Sequence, residues 1–324
     1  MSGVGAPDAG KAPSRLNGGP LEPFTRHRVW NTPIHRELCR NPETVDIGRA
    51  VANCATRIAV SVAIQDGVPP TTYLKGAQLC NKRLCPFCEW RRTRAWRARL
   101  HRGLSEYLEA FPKHRALFLT LTVRNCPLED LRQQVREMNS AWKRMTKCAF
   151  FPTEFWFRRT EVTLAYTPGM ASCMAHPHFH ALLLVKPSYF SHGYVKQTEW
   201  QKQWQMAARL DYEPVIDVRV AKDHSTSGGS ATDATKRSVL EAAKYATKAS
   251  QLMELGRDIA PFHFQMKGLR LYSLSKQLSA YVKDADPANF ELLDSVPLMP
   301  SGVPVLDGTA AWFEDSQEYL FTAL

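Results

Sequence analysis

Two observations predict an α+β fold for this sequence, and a third centres it on a hairpin. Segments in which apolar and polar residues alternate, at 116–124, 155–165, 176–185 and 214–220, carry the period-two pattern of half-buried strands. Between and after them, 128–147 and 198–210 space their apolar residues as amphipathic helices do. Only a loop containing Thr167, Pro168 and Gly169 separates 155–165 from 176–185, so these two strands return antiparallel as a hairpin.

The chain of 324 residues is long enough for one large or two modest domains. It carries 42 Lys and Arg against 31 Asp and Glu, a net charge of +11, with a pI near 9.3. Such a balance leans towards a nucleic-acid partner, although charge says nothing of fold or chemistry. The longest apolar run, 181–185, is strand-sized and far short of a membrane span. The first residues lack the apolar core of a signal peptide. These features predict a cytoplasmic protein without a membrane partner, whose eight cysteines are reduced thiols or metal ligands.

Taken in order, residues 1–24 are rich in Gly, Pro and Ala and read as a disordered leader. Residues 25–112 read as a helical, Cys-rich and basic segment, with a helix over 45–63. Within it Cys85 and Cys88 have the spacing of a zinc knuckle, and Cys80 is a natural third ligand. A structural zinc wants four ligands, and Cys54 or His101 would supply the last. Arg91, Arg92, Arg94, Arg97 and Arg99 follow on a helix with Trp90 and Trp96. Basic residues interleaved with aromatic ones suit phosphate contact and base stacking, with Arg91, Arg92 and Arg94 as the DNA-binding candidates. The alternative is a solvated amphipathic helix with its tryptophans in the core.

Residues 113–283 hold the strands and the chemistry. On 116–124, Leu119, Leu121 and Val123 would face the helices, with Thr120 and Thr122 on the other side. His176, His178 and His180 alternate along their strand, so they project together, and imidazoles gathered on one face usually serve a divalent metal. In hairpin register Glu161 is close enough to complete the shell, and a carboxylate beside two histidines suits Mg²⁺ or Mn²⁺. Pairing of Glu161 with Arg158 or Arg159 is the competing reading. Trp200 and Trp204 stand one turn apart and read as core. After a polar loop at 223–235, an Ala-rich helix over 238–250 places Glu241, Tyr245 and Lys248 at i, i+4 and i+7, on one stripe. Residues 262–274 read as a basic strand and turn. From 284 onward there are eight acidic residues and no Lys or Arg. That tail, 284–324, reads as largely disordered, with a short helix over 310–324.

Together these motifs resemble those of the HUH-type rolling-circle replication initiators of small bacterial plasmids, over roughly residues 80–274. Cys80, Cys85, Pro86, Cys88 and Arg91 are similar to that family's cysteine motif, and 118–122 to its first replication motif. His178-Phe-His180 matches its His-hydrophobic-His metal motif. Glu241, Tyr245 and Lys248 look like the third motif of the branch that pairs a glutamate with a single tyrosine. The polar insertion before the third motif and the acidic tail depart from the pattern, and His176 has a counterpart in only some members.

The resemblance implies a central antiparallel sheet with a metal on one face, helices on the other and the tyrosine helix crossing the metal face, behind a small zinc-knuckle segment. Residues 113–283 would form the nickase domain. His178 and His180 would hold the metal, and Tyr245 would attack a phosphodiester of origin DNA, single-stranded or cruciform. The products would be a 5′-phosphotyrosine and a 3′-hydroxyl primer for host helicase and DNA polymerase. Lys248 would bind phosphate and Glu241 would act as the base that ends a round. A transposase or relaxase shares this chemistry. A zinc-containing DNA-binding regulator without catalysis and a metal-dependent small-molecule enzyme are the rivals from other classes.

Overall fold

The structure is a computed structural model and describes residues 21–65, 68–165, 173–220, 249–282 and 305–324. Its elements run α1 (Glu22–Arg28), α2 (Asn31–Cys39), α3 (Val45–Ala52), β1 (Arg57–Gln65), β2 (Val68–Ala77), α4 (Pro86–Ala110), β3 (Arg115–Thr122) and β4 (Cys126–Pro127). There follow α5 (Leu131–Met145), β5 (Trp156–Ala165), β6 (Met174–Val185), α6 (Ser188–Ser191), α7 (Gln197–Ala208) and β7 (Ile216–Val220). The last are α8 (Ala249–Glu254), α9 (Ile259–Met266), β8 (Tyr272–Leu274), α10 (Lys276–Val282), β9 (Val305–Phe313) and β10 (Glu318–Ala323). The class is α+β, as expected. The chain divides into two units, one of Met1–Ala95, Lys248–Ala260 and Pro287–Leu324, the other of Trp96–Thr247 and Pro261–Asp286.

In the second unit six antiparallel strands form a sheet of order β7-β3-β6-β5-β8, with the short β4 also paired to β6. Alternation along each strand sorts its residues between two faces. One face carries Leu117, Leu119 and Leu121 of β3 with Phe179, Ala181 and Leu183 of β6, packed under α5 and α7. Helix α5 supplies Leu131, Val135, Met138, Trp142 and Met145, spaced to make one buried stripe, and α7 supplies the fully buried Trp200 and Trp204. Arg209 stops α7 by turning left-handed, φ 56°, and its N–H returns to the helix's last carbonyls.

Among the described residues, helices cover one end of the opposite face. There Ala116, Phe157, Leu182 and Leu184 pack against Leu100, Leu104, Tyr107 and Leu108 of α4 and Leu278 and Val282 of α10. The two helices approach closely at Gly103, where a Cβ would come 2.6 Å from the Tyr281 carbonyl oxygen. Further along the same face β6 presents His180 and His178 in place of leucines.

The first unit contains an antiparallel sheet of order β10-β9-β1-β2. Strand β1 pairs with β9 from Arg57 opposite Ala311 to Ala63 opposite Val305. A side chain at Gly308 would run into the Phe321 ring on β10, so the strand crossing needs glycine there. Phe24, Ile34, Leu38 and Val51 are buried among α1, α2 and α3. The Thr44 hydroxyl donates to the Leu38 carbonyl at 2.7 Å, tying the end of α2 to the start of α3.

Several expectations are corrected. The helix expected over 45–63 ends at Ala52, and β1 follows, because Ile58, Val60 and Val62 alternate with smaller residues and pair on both sides. Helix α1 begins at Glu22, within the expected leader, with Pro23 in its first turn. Residues 262–274 begin as α9, turn at Gly268 (φ 78°) and become a strand only at β8. The C-terminal stretch expected as a disordered tail with a short helix is the β9–β10 hairpin from 305 onward.

Candidate functional site

Strand β6 lies between β3 and β5, and its register fixes what meets the histidines. His180 stands opposite Thr120 on β3 and Arg159 on β5, and His178 opposite Thr122 and Glu161. The Glu161 carboxylate oxygen Oε2 lies 3.3 Å from His180 Nε2 and 4.0 Å from His178 Nε2. These three side chains, all partly buried, bring their ligand atoms within 4.8 Å of one another and could hold a metal ion.

The rings are oriented by their other nitrogens. His178 Nδ1 donates to the His176 carbonyl at 3.2 Å, which leaves the Nε2 lone pair facing Glu161. His180 Nδ1 lies 3.2 Å from the Thr120 hydroxyl, which orients the ring with Nε2 towards Glu161. Burial, with the nearby His180, pushes the His178 pKa down to about 4, so its imidazole is neutral at ordinary pH. Burial alone would raise the Glu161 pKa, but the contact with His180 and the Arg159 guanidinium outweigh it and bring the group to about 2. Arg159 is fully buried and donates from Nη2 to Glu161 Oε2 at 2.8 Å. Both readings of Glu161 therefore hold at once: it pairs with Arg159 and it faces the histidines. His176 is not part of the group; its ring stands beside that of His178 and engages the Val123 backbone. The sequence named Arg159 only as a rival partner of Glu161 and gave Thr120 a face but no role; parity puts both on the histidine face.

The first unit holds a second cluster. Cys54, Cys80, Cys85 and Cys88 bring their sulfurs within 4.8 Å of one another, and Cys54, not the exposed His101, is the fourth member. The sulfurs of Cys54 and Cys88 are 3.4 Å apart and those of Cys80 and Cys88 3.7 Å, with no disulfide formed. Thiol hydrogen bonds from Cys54, Cys80 and Cys85 hold Cys88 far below the ordinary thiol range, while burial raises Cys85. The Cys88 N–H donates to Cys85 Sγ at 3.5 Å, the closed turn that this spacing favours.

Arg91, Arg92 and Arg94 lie on the first turns of α4, just after that cluster. Arg92 pairs with Glu89, and Arg94 sits 5.4 Å from the Trp90 ring centre. Trp90 is buried, and Trp96 is half-buried and stacks on Tyr272 at 5.0 Å. Glu241, Tyr245 and Lys248 lie outside the described residues. Among the described residues no helix is long and apolar enough to cross a membrane.

The model of the family described as Replication protein matches residues 71–299. A protein from Lactiplantibacillus plantarum named Protein rep is 35% identical over 227 residues, covering 66% of this chain and 69% of that protein. Proteins of the same name from Lentilactobacillus hilgardii and Streptococcus pneumoniae are 35% and 33% identical, each over 54% of this chain. The chain spans about half the length of these two, 54% and 53%. No solved structure matches. With the family's pattern running through both the cysteine loop and the histidine strand, this chain belongs to the replication protein family.

Proposed function

We propose that this chain initiates plasmid rolling-circle replication by nicking one strand of origin DNA, single-stranded or extruded as a cruciform. The observation that carries the reading is the convergence of Glu161, His178 and His180 on one sheet face, in a chain of the replication protein family. Two imidazoles and one ionised carboxylate fit a divalent ion such as Mg²⁺ or Mn²⁺. When bound there, such an ion supplies Lewis-acid withdrawal of charge from phosphodiester oxygens.

The chain's own residues do the rest. The Tyr245 oxygen bonds to phosphorus as the bond from phosphorus to the 3′ oxygen breaks. The phenol proton is lost to the surroundings, and the leaving 3′ oxygen gains one to become a primer hydroxyl, with the 5′ phosphate held on tyrosine. Lys248 offsets phosphate charge, and Glu241 acts as base towards the water that ends a round. Arg91, Arg92 and Arg94 contact the DNA backbone. Host helicase and polymerase extend the primer, in the cytoplasm.

The four cysteines form a structural zinc site in this reading. Bonds of about 2.3 Å in a tetrahedron set sulfurs about 3.8 Å apart. The distances of 3.4 and 3.7 Å among these sulfurs are near that value.

The test is incubation with supercoiled DNA of the chain's own replicon and Mg²⁺ or Mn²⁺. Wild type should give nicked circles and a protein–DNA adduct that survives denaturant, and Tyr245→Phe should bind DNA and give neither. Binding without nicking by wild type would leave a DNA-binding regulator in place of the enzyme.

A further inference from the structure

The histidine face has a border on its β7 side that the proposed chemistry leaves without a task. Val123 and Ile216 belong to the core beneath α5 and α7. By strand alternation their neighbours Arg124 and Val215 turn the other way, onto the side of the histidines. Both are exposed, the Arg124 side chain at 67% and Val215 at 76%. Thr122 stands opposite His178, and its hydroxyl donates to the Val215 carbonyl at 2.6 Å. The His176 ring engages the backbone of Val123, one residue before Arg124. Two residues along and one strand across, Arg124 therefore lies about 8 Å from His178, backbone to backbone.

An exposed arginine ordinarily samples many rotamers, but this one is held. Its backbone N–H donates to the Tyr212 hydroxyl at 2.7 Å, and its guanidinium lies 3.8 Å from the centre of the same ring. Stacking occupies one face of the planar fork and leaves its N–H edges outward, and holding it beforehand lowers the entropy lost on meeting a ligand. The nearby acids do not use it up. Asp211 is 3.9 Å away with 89% of its side chain exposed, an ion pair that contributes little in water, and Glu213 on the same turn is exposed too. Asp217, on the histidine side of β7, is bound to Arg219 at 2.7 Å. Val215 adds an apolar surface in line with Thr122 and His178, the kind of contact that a base or a sugar makes.

We propose that Arg124, braced on Tyr212, binds the backbone phosphate next to the one at the metal residues, with Val215 against the base or sugar of that nucleotide. The occupant is a single DNA strand, so the inference rests on the proposed function and adds to it the contact that sets the strand in place.

The test uses the full chain and a short oligothymidylate, whose affinity is followed against salt. Arg40 is exposed in the first unit and pairs with Glu37, so Arg40→Gln removes the same charge from elsewhere. Each phosphate contact to a single strand contributes about 0.7 to the slope of log K on log salt. Arg124→Gln should lower the slope by that amount, Arg124→Lys should keep it, and Arg40→Gln should leave it unchanged. Val215→Glu should weaken binding several-fold by setting a carboxylate against the strand. Melting temperatures close to that of wild type show that the variants fold. An Arg124→Gln slope equal to that of wild type, or lowered no more than in Arg40→Gln, overturns the proposal, as does Val215→Glu binding as tightly as wild type. In the nicking assay Arg124→Gln should raise KM about tenfold with kcat little changed, as for a contact made equally before and in the transition state. If wild type binds the strand and nicks nothing, the proposed function falls, while the salt slopes still decide for or against Arg124.

Discussion

Glu161 shows what a single residue's position can and cannot reveal. Its parity on β5 and its place in the hairpin were legible, because a period of two and a short loop fix which side chains meet. That Arg159 is buried beside it was not, since burial of a guanidinium depends on how the sheet is covered and not on strand pattern. Arg159 holds the same carboxylate oxygen that faces both histidines. Arg159→Met should therefore weaken Mn²⁺ binding, read by electron paramagnetic resonance, by roughly 10–100-fold, the usual scale for outer-shell partners. In a Glu161→Gln background the same change should add little. Thr120→Val should weaken binding on a comparable scale through His180, about tenfold or more, with Thr120→Ser retaining most of it. His27 gives a pH test in the other unit. Stacked on Trp90 at 4.7 Å, it is pushed down to about 3 by burial and by Arg26 and Arg94. The unfolded chain takes up this proton near pH 6.5 and the folded one only near 3, so the stability it confers is complete above 6.5 and falls as pH drops towards 3. His27→Phe should remove that part of the pH dependence, measured as the difference in urea midpoints between pH 7 and pH 4.

Among the elements, β3, β5 and β6 were readable because each carries an alternating stretch, 119–122, 161–164 and 176–180, and turn residues bound the last two. Strand β1 was not, since its alternation is between Ile or Val and Ala, which a helix tolerates as well. Strands β9 and β10 were hidden by acidic residues and by Gly308, and by a sheet partner that lies near the other end of the sequence. The hairpin is part of the core: Tyr319 is buried and donates its hydroxyl to the Ala55 carbonyl. Removing residues 305–324 should leave β1 with an open edge, and the shortened chain should aggregate on heating where the full chain does not, followed by light scattering. In the cysteine loop, Cys54→Ser should abolish the bound zinc measured by mass spectrometry, while His101→Ala should leave one equivalent.

For the molecule as a whole, charge and motif order pointed to a replication protein, and the family match agrees. The division into two units was not legible, because each gathers segments from distant stretches of chain. The sheet order β10-β9-β1-β2 has a consequence for synthesis. Strand β1 leaves the ribosome early but cannot close its second edge until β9, about 250 residues later, has been made. The second unit ends at Asp286, so translation delivers every strand of the histidine sheet before the first unit's sheet can be completed. A nascent chain stalled shortly after that point should protect the histidine sheet from limited proteolysis while β1 remains open to cleavage, and a chain extended through β9 and β10 should close it.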